Sequence, residues 1–278
     1  MLPMSELVDE MNTETSERIL VNCLDWLAHE LHSSKQQTDR DCLALVITQT
    51  LQRVKQAAVS HPAMGALLAR QQLVINDVAY QSPLKLIREL ELIAEARPEL
   101  RANWMHKIHG DVHLGNILTD LEKWALVDPR GVFPGGGDHF DLCYEWGKVL
   151  HDLHGMYNLI CSKHIWGDAN LDIGTIQVNL PSSHFTDAYA SLLRAFLNRV
   201  ALKYEDYEVR EKYASKMLLY EGLLILGILP FHLQHLERAV SLLAFGTMIL
   251  HHAIIAFDEK ESALEFISRP ITRAFYDK

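Results

Sequence analysis

KIHGDVHLGNILTDLEKWALVDPRG, from Lys107 to Gly131, gathers His109, Asp111, His113, Asn116 and Asp128 into one short span. Each of these side chains can act on a proton or a metal ion. Between them lie two apolar stretches, Asn116 to Thr119 and Trp124 to Val127, joined by a turn at Asp120–Lys123. The pattern predicts a β-hairpin. Its strand ends meet, so Asn116, entering the first strand, is expected beside Asp128, leaving the second. With the carboxylate of Asp111 they make a hard oxygen-ligand set. Such a set suits Mg2+, which takes few protein ligands and leaves its other positions to phosphate oxygens.

His-Gly-Asp-Val-His-Leu-Gly-Asn-Ile-Leu from His109, followed by Val127-Asp128-Pro129, resembles the catalytic and metal loops of the aminoglycoside phosphotransferase and choline kinase group. Those are small-molecule kinases with a protein-kinase-like fold. Gly137-Asp138-His139-Phe140-Asp141-Leu142 is similar to the GD-x-x-DL segment of that group. Asp128-Pro129-Arg130-Gly131 and His151 to Tyr157 look most like a branch linked to sugar and cell-envelope metabolism. The resemblance is sharp from about His106 to Tyr157 and diffuse on either side.

The resemblance implies an ATP- and Mg2+-dependent kinase. Asp111 would accept the proton of an acceptor hydroxyl, and Asn116 and Asp128 would hold the metal. His109 would brace its loop through backbone hydrogen bonds, and Asp141 would tie that loop to the following helix. Arg130 directly follows the metal loop, where a planar cation could hold a substrate phosphate or carboxylate. His151 and His154 lie three apart on one helix face and are candidates to face the substrate, weighed against a background of 15 histidines. His113 reads as an exposed loop imidazole. Gly135-Gly136-Gly137 reads as a flexible loop, since no Lys-Ser/Thr follows it. Trp104 and Trp146 read as core.

The bulk composition narrows the classes. The chain has 278 residues, 49% hydrophobic and 22% charged, enough for a substantial core and against disorder. A net charge of −10 without a basic stripe excludes nonspecific nucleic-acid binding. Cys23, Cys42, Cys143 and Cys161 form no CxxC pair and read as reduced core cysteines of a cytoplasmic protein. The first twelve residues are expected to be a loose start, with no hydrophobic signal core. Leu223 to Phe231 is the greasiest stretch and Pro230 interrupts it, so no membrane span is expected.

The fold class expected is mainly α (α+β), a helical bundle with a small β-hairpin carrying the catalytic and metal loops. Apolar periodicity predicts helices over Thr15–Leu31, Thr38–Ser60 with a capping box at Thr38 and Asp41, Met64–Gln72 and Pro83–Ala96. Leu73–Ala79 is β-prone with a turn at Asn76-Asp77. Further helices are expected over Phe140–Leu159, Phe185–Tyr204, Tyr207–Leu229, His232–Phe257 and Ser262–Tyr276, with 162–184 irregular. A kinase of the resembled group ordinarily opens with a β-rich lobe carrying a glycine loop and a strand lysine. Residues 1–100 are instead helical in pattern, with Gly65 their single glycine and Lys35, Lys55 and Lys85 outside any convincing strand. Residues 1–100 are therefore expected to be the helical segment of a kinase-like C-terminal lobe without its N-terminal lobe. Residues 101–278 carry the loops and a C-terminal helical subdomain, the whole forming one domain.

The leading expectation is phosphate transfer from ATP to a hydroxyl of a small polar molecule such as a sugar, aminoglycoside or amino alcohol. A partner, a longer chain or self-association would complete the cleft. The alternative is a kinase-like binding or regulatory module without turnover. A third reading is metal-dependent phosphate-ester hydrolysis, because Gly110-Asp111-Val112-His113 superficially resembles the GD-x-H opening of binuclear metallophosphatases. It lacks the glycine after the histidine and any downstream Gly-Asn-His.

Overall fold

Helices in this chain start on short polar side chains that accept from the otherwise unpaired first N–H groups. Asn12 accepts from Thr15 at 2.8 Å, Asp41 from Ala44 at 2.9 Å, and Asp206 from Glu208 at 2.8 Å. The computed structural model describes residues 1–8, 11–180, 183–257 and 261–272, with backbone alone for 183 and 184. Strand β1 (Leu2–Pro3) and helices α1 (Met4–Leu7) and α2 (Thr13–Trp26) come first. Strand β2 (Lys35–Gln37), helices α3 (Cys42–Ser60) and α4 (Pro62–Leu68), strands β3 (Gln72–Ile75) and β4 (Val78–Gln81), and helix α5 (Pro83–Ala96) follow. Next are strands β5 (Trp104–Lys107), β6 (Ile117–Thr119), β7 (Trp124–Leu126) and β8 (His139–Phe140). Helices α6 (Leu142–Leu153) and α7 (Tyr157–Cys161), then strands β9 (Trp166–Asn170) and β10 (Thr175–Asn179), lead to helices α8 (Ser183–Val200), α9 (Tyr207–Gly227), α10 (Leu236–Phe257) and α11 (Ala263–Ile267).

The result is a mostly helical α+β protein with three small sheets, ordered β1-β6-β7, β4-β3-β10-β9 and β2-β5-β8. One contiguous apolar core joins its two halves: α2 packs on α8, and α3 packs on α9. At the centre, α9 lies against α6, α10 and α3. Glycines permit the closest of these approaches. A Cβ at Gly147 would stand 2.7 Å from the Cβ of Tyr220, and one at Gly222 would stand 2.9 Å from the backbone nitrogen of Leu250.

Several expectations change. Residues 1–8 are not loose: Met4 is fully buried, and Leu2 pairs with Thr119. Thr38 starts no helix; α3 begins at Cys42 under an Asp41 cap. The helix expected over Phe140–Leu159 stops at Leu153, because Met156 turns left-handed at φ 54° and α7 begins afresh. Residues 162–184 contain the β9–β10 hairpin; its strands, WGDAN and TIQVN, are too polar for a clear alternation. Lys35 does lie in a strand, with its ammonium 5.0 Å above the exposed Trp104 ring, so Trp104 is not core. The Asn76-Asp77 turn is present, both residues at positive φ as a two-residue hairpin turn requires. The final helix is only Ala263–Ile267, and 273–276 fall outside the described residues. Among the described residues one helix, α10, is long and apolar enough to cross a membrane, where no such span was expected. Of that stretch 72% is buried inside the protein, where it forms the central core helix.

Candidate functional site

Strand β5 delivers the chain into the loop His109–Leu114, and α6 holds that loop from beneath. Gly110 sits at φ +79°, and a Cβ there would fall 2.2 Å from the Phe133 ring, so no other residue fits. Glu145, fully buried on α6, accepts from the backbone N–H groups of His109 at 2.9 Å and Gly110 at 2.6 Å. Two turns further along α6, Asp152, also fully buried, accepts from the N–H of Leu114 at 2.7 Å and from the Asn158 backbone at 3.0 Å. Between them Lys148 reaches Asp111, Nζ to Oδ1 2.7 Å. Glu145, Lys148 and Asp152 occupy one helix face, spaced three and four apart. None was anticipated, although three ionisable residues at helical spacing inside the otherwise apolar run LCYEWGKVLHDL are a readable signal.

Burial alone would raise the Asp111 carboxyl, but the Lys148 ammonium, with smaller contributions from His113 and His109, holds it below the usual carboxylate range. Asp111 is therefore ionised at neutral pH. Its Oδ2 has no hydrogen-bond partner among the described residues. His109 braces the loop locally, its Nδ1 accepting from the Asp111 N–H at 3.3 Å. Burial lowers the His109 imidazole, opposed by the charges of Glu145, Asp111 and Asp128, so both site carboxylates act on this one ring.

The hairpin forms in the expected register, Ile117 opposite Leu126. The Val127 N–H donates to the Asn116 carbonyl at 3.0 Å, which puts Asp128 one residue beyond Asn116's partner. Asn116 Nδ2 donates to the Asp111 carbonyl at 2.8 Å, leaving its Oδ1 as the outward group. Asp128 is exposed and takes a left-handed φ of 59°, a conformation Asp tolerates better than most residues. The Asp128 carboxylate and the Asn116 amide oxygen are hard oxygen donors, of the kind Mg2+ takes in preference to a softer metal. Among the described residues no group of three or more His, Cys, Asp or Glu could hold a metal ion.

The remaining expected residues divide. Asp141 caps α6, accepting from Cys143 at 3.0 Å, and its second oxygen takes Tyr220 at 2.8 Å and Lys216 at 2.6 Å, both on α9. It joins α6 to α9, while the loop itself is held by Glu145. His154 is fully buried, paired with Glu221 at 2.8 Å and edge-on to Phe266, so it faces no substrate. His151 is 1% exposed; its Nδ1 bonds the Lys148 carbonyl at 3.0 Å and its ring stacks on Tyr157 at 4.5 Å. It lies under His113, 6.1 Å away, and supports that imidazole without reaching solvent. Both corrections have one cause: helical spacing fixes a shared face, and this face turns inward. His113 is half-buried, not free, and its Nδ1 accepts from Gly115 at 3.1 Å.

Arg130 stands beside the loop, its N–H donating to the His109 carbonyl at 2.9 Å and its guanidinium to the Tyr144 hydroxyl and to Gln49 at 3.3 Å. The cavities along β9 and β10, about 520 and 280 Å3, are lined by residues such as Asp168, Asn170 and Gln177, and share none with this site. No protein-family model matches the chain, and none of the curated proteins matches it.

Proposed function

We propose that this chain is a phosphotransferase of the aminoglycoside phosphotransferase and choline kinase type, built on a protein-kinase-like C-terminal lobe. It transfers phosphate from ATP to a hydroxyl of a small polar molecule. The observation that supports this best is the ionised Asp111 in a rigidly braced loop, beside an Asn116 and Asp128 brought together by the hairpin register. Asp111 Oδ2 accepts a hydrogen bond from the acceptor hydroxyl, orients its oxygen, and takes the proton as the new bond to phosphorus forms and ADP leaves. Lys148 keeps Asp111 charged and aimed. Asn116 and Asp128 would hold Mg2+, which when bound neutralises phosphate oxygens. Glu145 and Asp152 fix the backbone on which these groups ride. The nucleotide-covering half of the cleft would come from a partner or from additional chain.

Calorimetry with ATP and Mg2+, followed by phosphate transfer to a panel of sugars, aminoglycosides and amino alcohols, tests the reading. Asp111→Asn should keep Mg-ATP binding and lose transfer. No nucleotide heat and no transfer would overturn it. Two observations favour a binding module without turnover: Asp111 already gives one oxygen to Lys148, and residues 1–100 hold no glycine loop. That second reading predicts that Asp111→Asn and Asp128→Ala leave every cellular phenotype intact.

A further inference from the structure

Gln49 on α3 links the Arg130 guanidinium to the helix that carries Arg53. Arg53 and Gln49 lie four apart on α3, hence on one face of that helix. Gln49 Oε1 takes Arg130 Nη2 at 3.3 Å, so Arg53 projects one turn from the Arg130 head. Arg130 is flanked by the rings of Phe133 and Tyr144, each 5.5 Å from its guanidinium carbon. Arg53 packs 5.3 Å over Phe231, which is 67% exposed and marks the open side. The further hydrogen bonds of these heads go to the Tyr144 hydroxyl and, at 3.5 Å, to the Gly227 carbonyl. Neither meets a carboxylate among the described residues, in a chain with 36 acidic residues against 26 basic ones.

Half-buried arginines in an acid-rich chain ordinarily find a carboxylate, because an unpaired cation out of water is costly and two of them repel. Here burial, then the Arg130 charge, lower the Arg53 guanidinium. Tyr144, whose hydroxyl takes Arg130, is pushed up by burial, and the charges of Arg130, Asp111 and Arg53 also act on it. Most of the ten guanidinium N–H groups remain free to donate. Planar forks held by aromatic faces suit a tetrahedral or planar oxyanion.

We propose that Arg53 and Arg130 form the seat for an anionic group, phosphate or carboxylate, carried by the molecule whose hydroxyl Asp111 orients. This rests on the phosphotransfer reading for the word acceptor, but the seat itself can be tested alone. Without nucleotide or metal, the full chain is titrated calorimetrically with a hexose phosphate, a hexuronate, inorganic phosphate and the parent neutral hexose. The anionic ligands should bind and the neutral hexose should not; the stronger of phosphate ester and uronate identifies the group. Arg53→Gln and Arg130→Gln should each weaken binding about tenfold or more. Gln49→Glu places an internal carboxylate against the Arg130 head, one helical turn from Arg53. It should abolish anion binding while raising the thermal midpoint, which separates loss of the seat from loss of the fold. Equal binding of neutral hexose, unchanged affinity in folded Arg→Gln variants, or no effect of Gln49→Glu overturns the proposal. If anions bind as expected but no transfer from Mg-ATP follows, the phosphotransfer reading fails and the seat stands. If transfer proceeds unchanged in Arg53→Gln, the seat fails and that reading stands.

Discussion

α6 and α10 are both core helices, and they treat polarity in opposite ways. Along α10, from Ala239 to Leu250, the buried side chains are apolar except Ser241 and Thr247. Those two hydroxyls bond their own helix, to the Glu237 carbonyl at 2.9 Å and the Leu243 carbonyl at 2.5 Å. α6 buries Glu145, Lys148, His151 and Asp152 within the same kind of packing. Burying ionisable groups is expensive unless every one is matched. On α6 three of the four are matched by the loop His109–Leu114 and one by its own backbone. A helix that only packs has no need of such groups. Their presence on α6 separates the helix that holds the loop His109–Leu114 from the helix that supplies only core.

Substitutions on the two helices should therefore differ in kind. The largest effect is expected for Glu145→Ala, which strands two buried N–H groups; a loss of about 3–5 kcal/mol in urea unfolding is the expectation. Glu145→Gln should recover part of it, since one amide oxygen can still accept. At the face of α9 that packs on α10, Gly222→Ala presses a methyl into the Leu250 backbone and should cost about 1–3 kcal/mol by the same measurement.

Acid titration comes next. Burial, then the Lys148 charge, push the His151 imidazole well below its ordinary value, so the fold prefers it neutral. Stability is then full above the ordinary imidazole value and falls as pH drops beneath it. His151→Phe should flatten that part of the profile. Asp111 has the lowered carboxyl, so its contribution is present above the ordinary carboxylate value and fades as pH falls through the folded one. Lys148→Met should move the Asp111 titration upward, read directly by carboxyl NMR. The smallest change is expected for Thr247→Val on α10, within about 0.5 kcal/mol, because that hydroxyl only returns to its own helix. A large loss there would erase the contrast between the helices.

Much of the secondary structure could be read from pattern. Pro83 begins α5 and Ala96 ends it, and the hairpin of β6 and β7 forms where two apolar stretches and the turn at Asp120–Lys123 place it. Hairpin register brings the backbones of Asn116 and Asp128 to one end of the β6–β7 pair, and Asn116 bonds the Asp111 carbonyl. Glu145 and Asp152 were missed for the reason α6 stands out. A carboxylate inside an apolar helix has no meaning until its partner N–H groups, some 35 residues away in sequence, are in place. His151 and His154 were candidates to face a substrate; His151 is buried near the end of α6, and His154, just past that end, is buried against Glu221.

Periodicity, caps and turns are short-range, and so the chain's residues alone determined which segments coil, where the hairpin bends and which oxygen-bearing side chains it gathers. Only the folded structure decided which face of α6 turns inward, that Lys148 holds Asp111, and that Arg53 comes to rest beside Arg130. Those outcomes depend on how α3, α6 and α9 pack, and packing is settled by shape and burial summed over the whole core, which no local window contains.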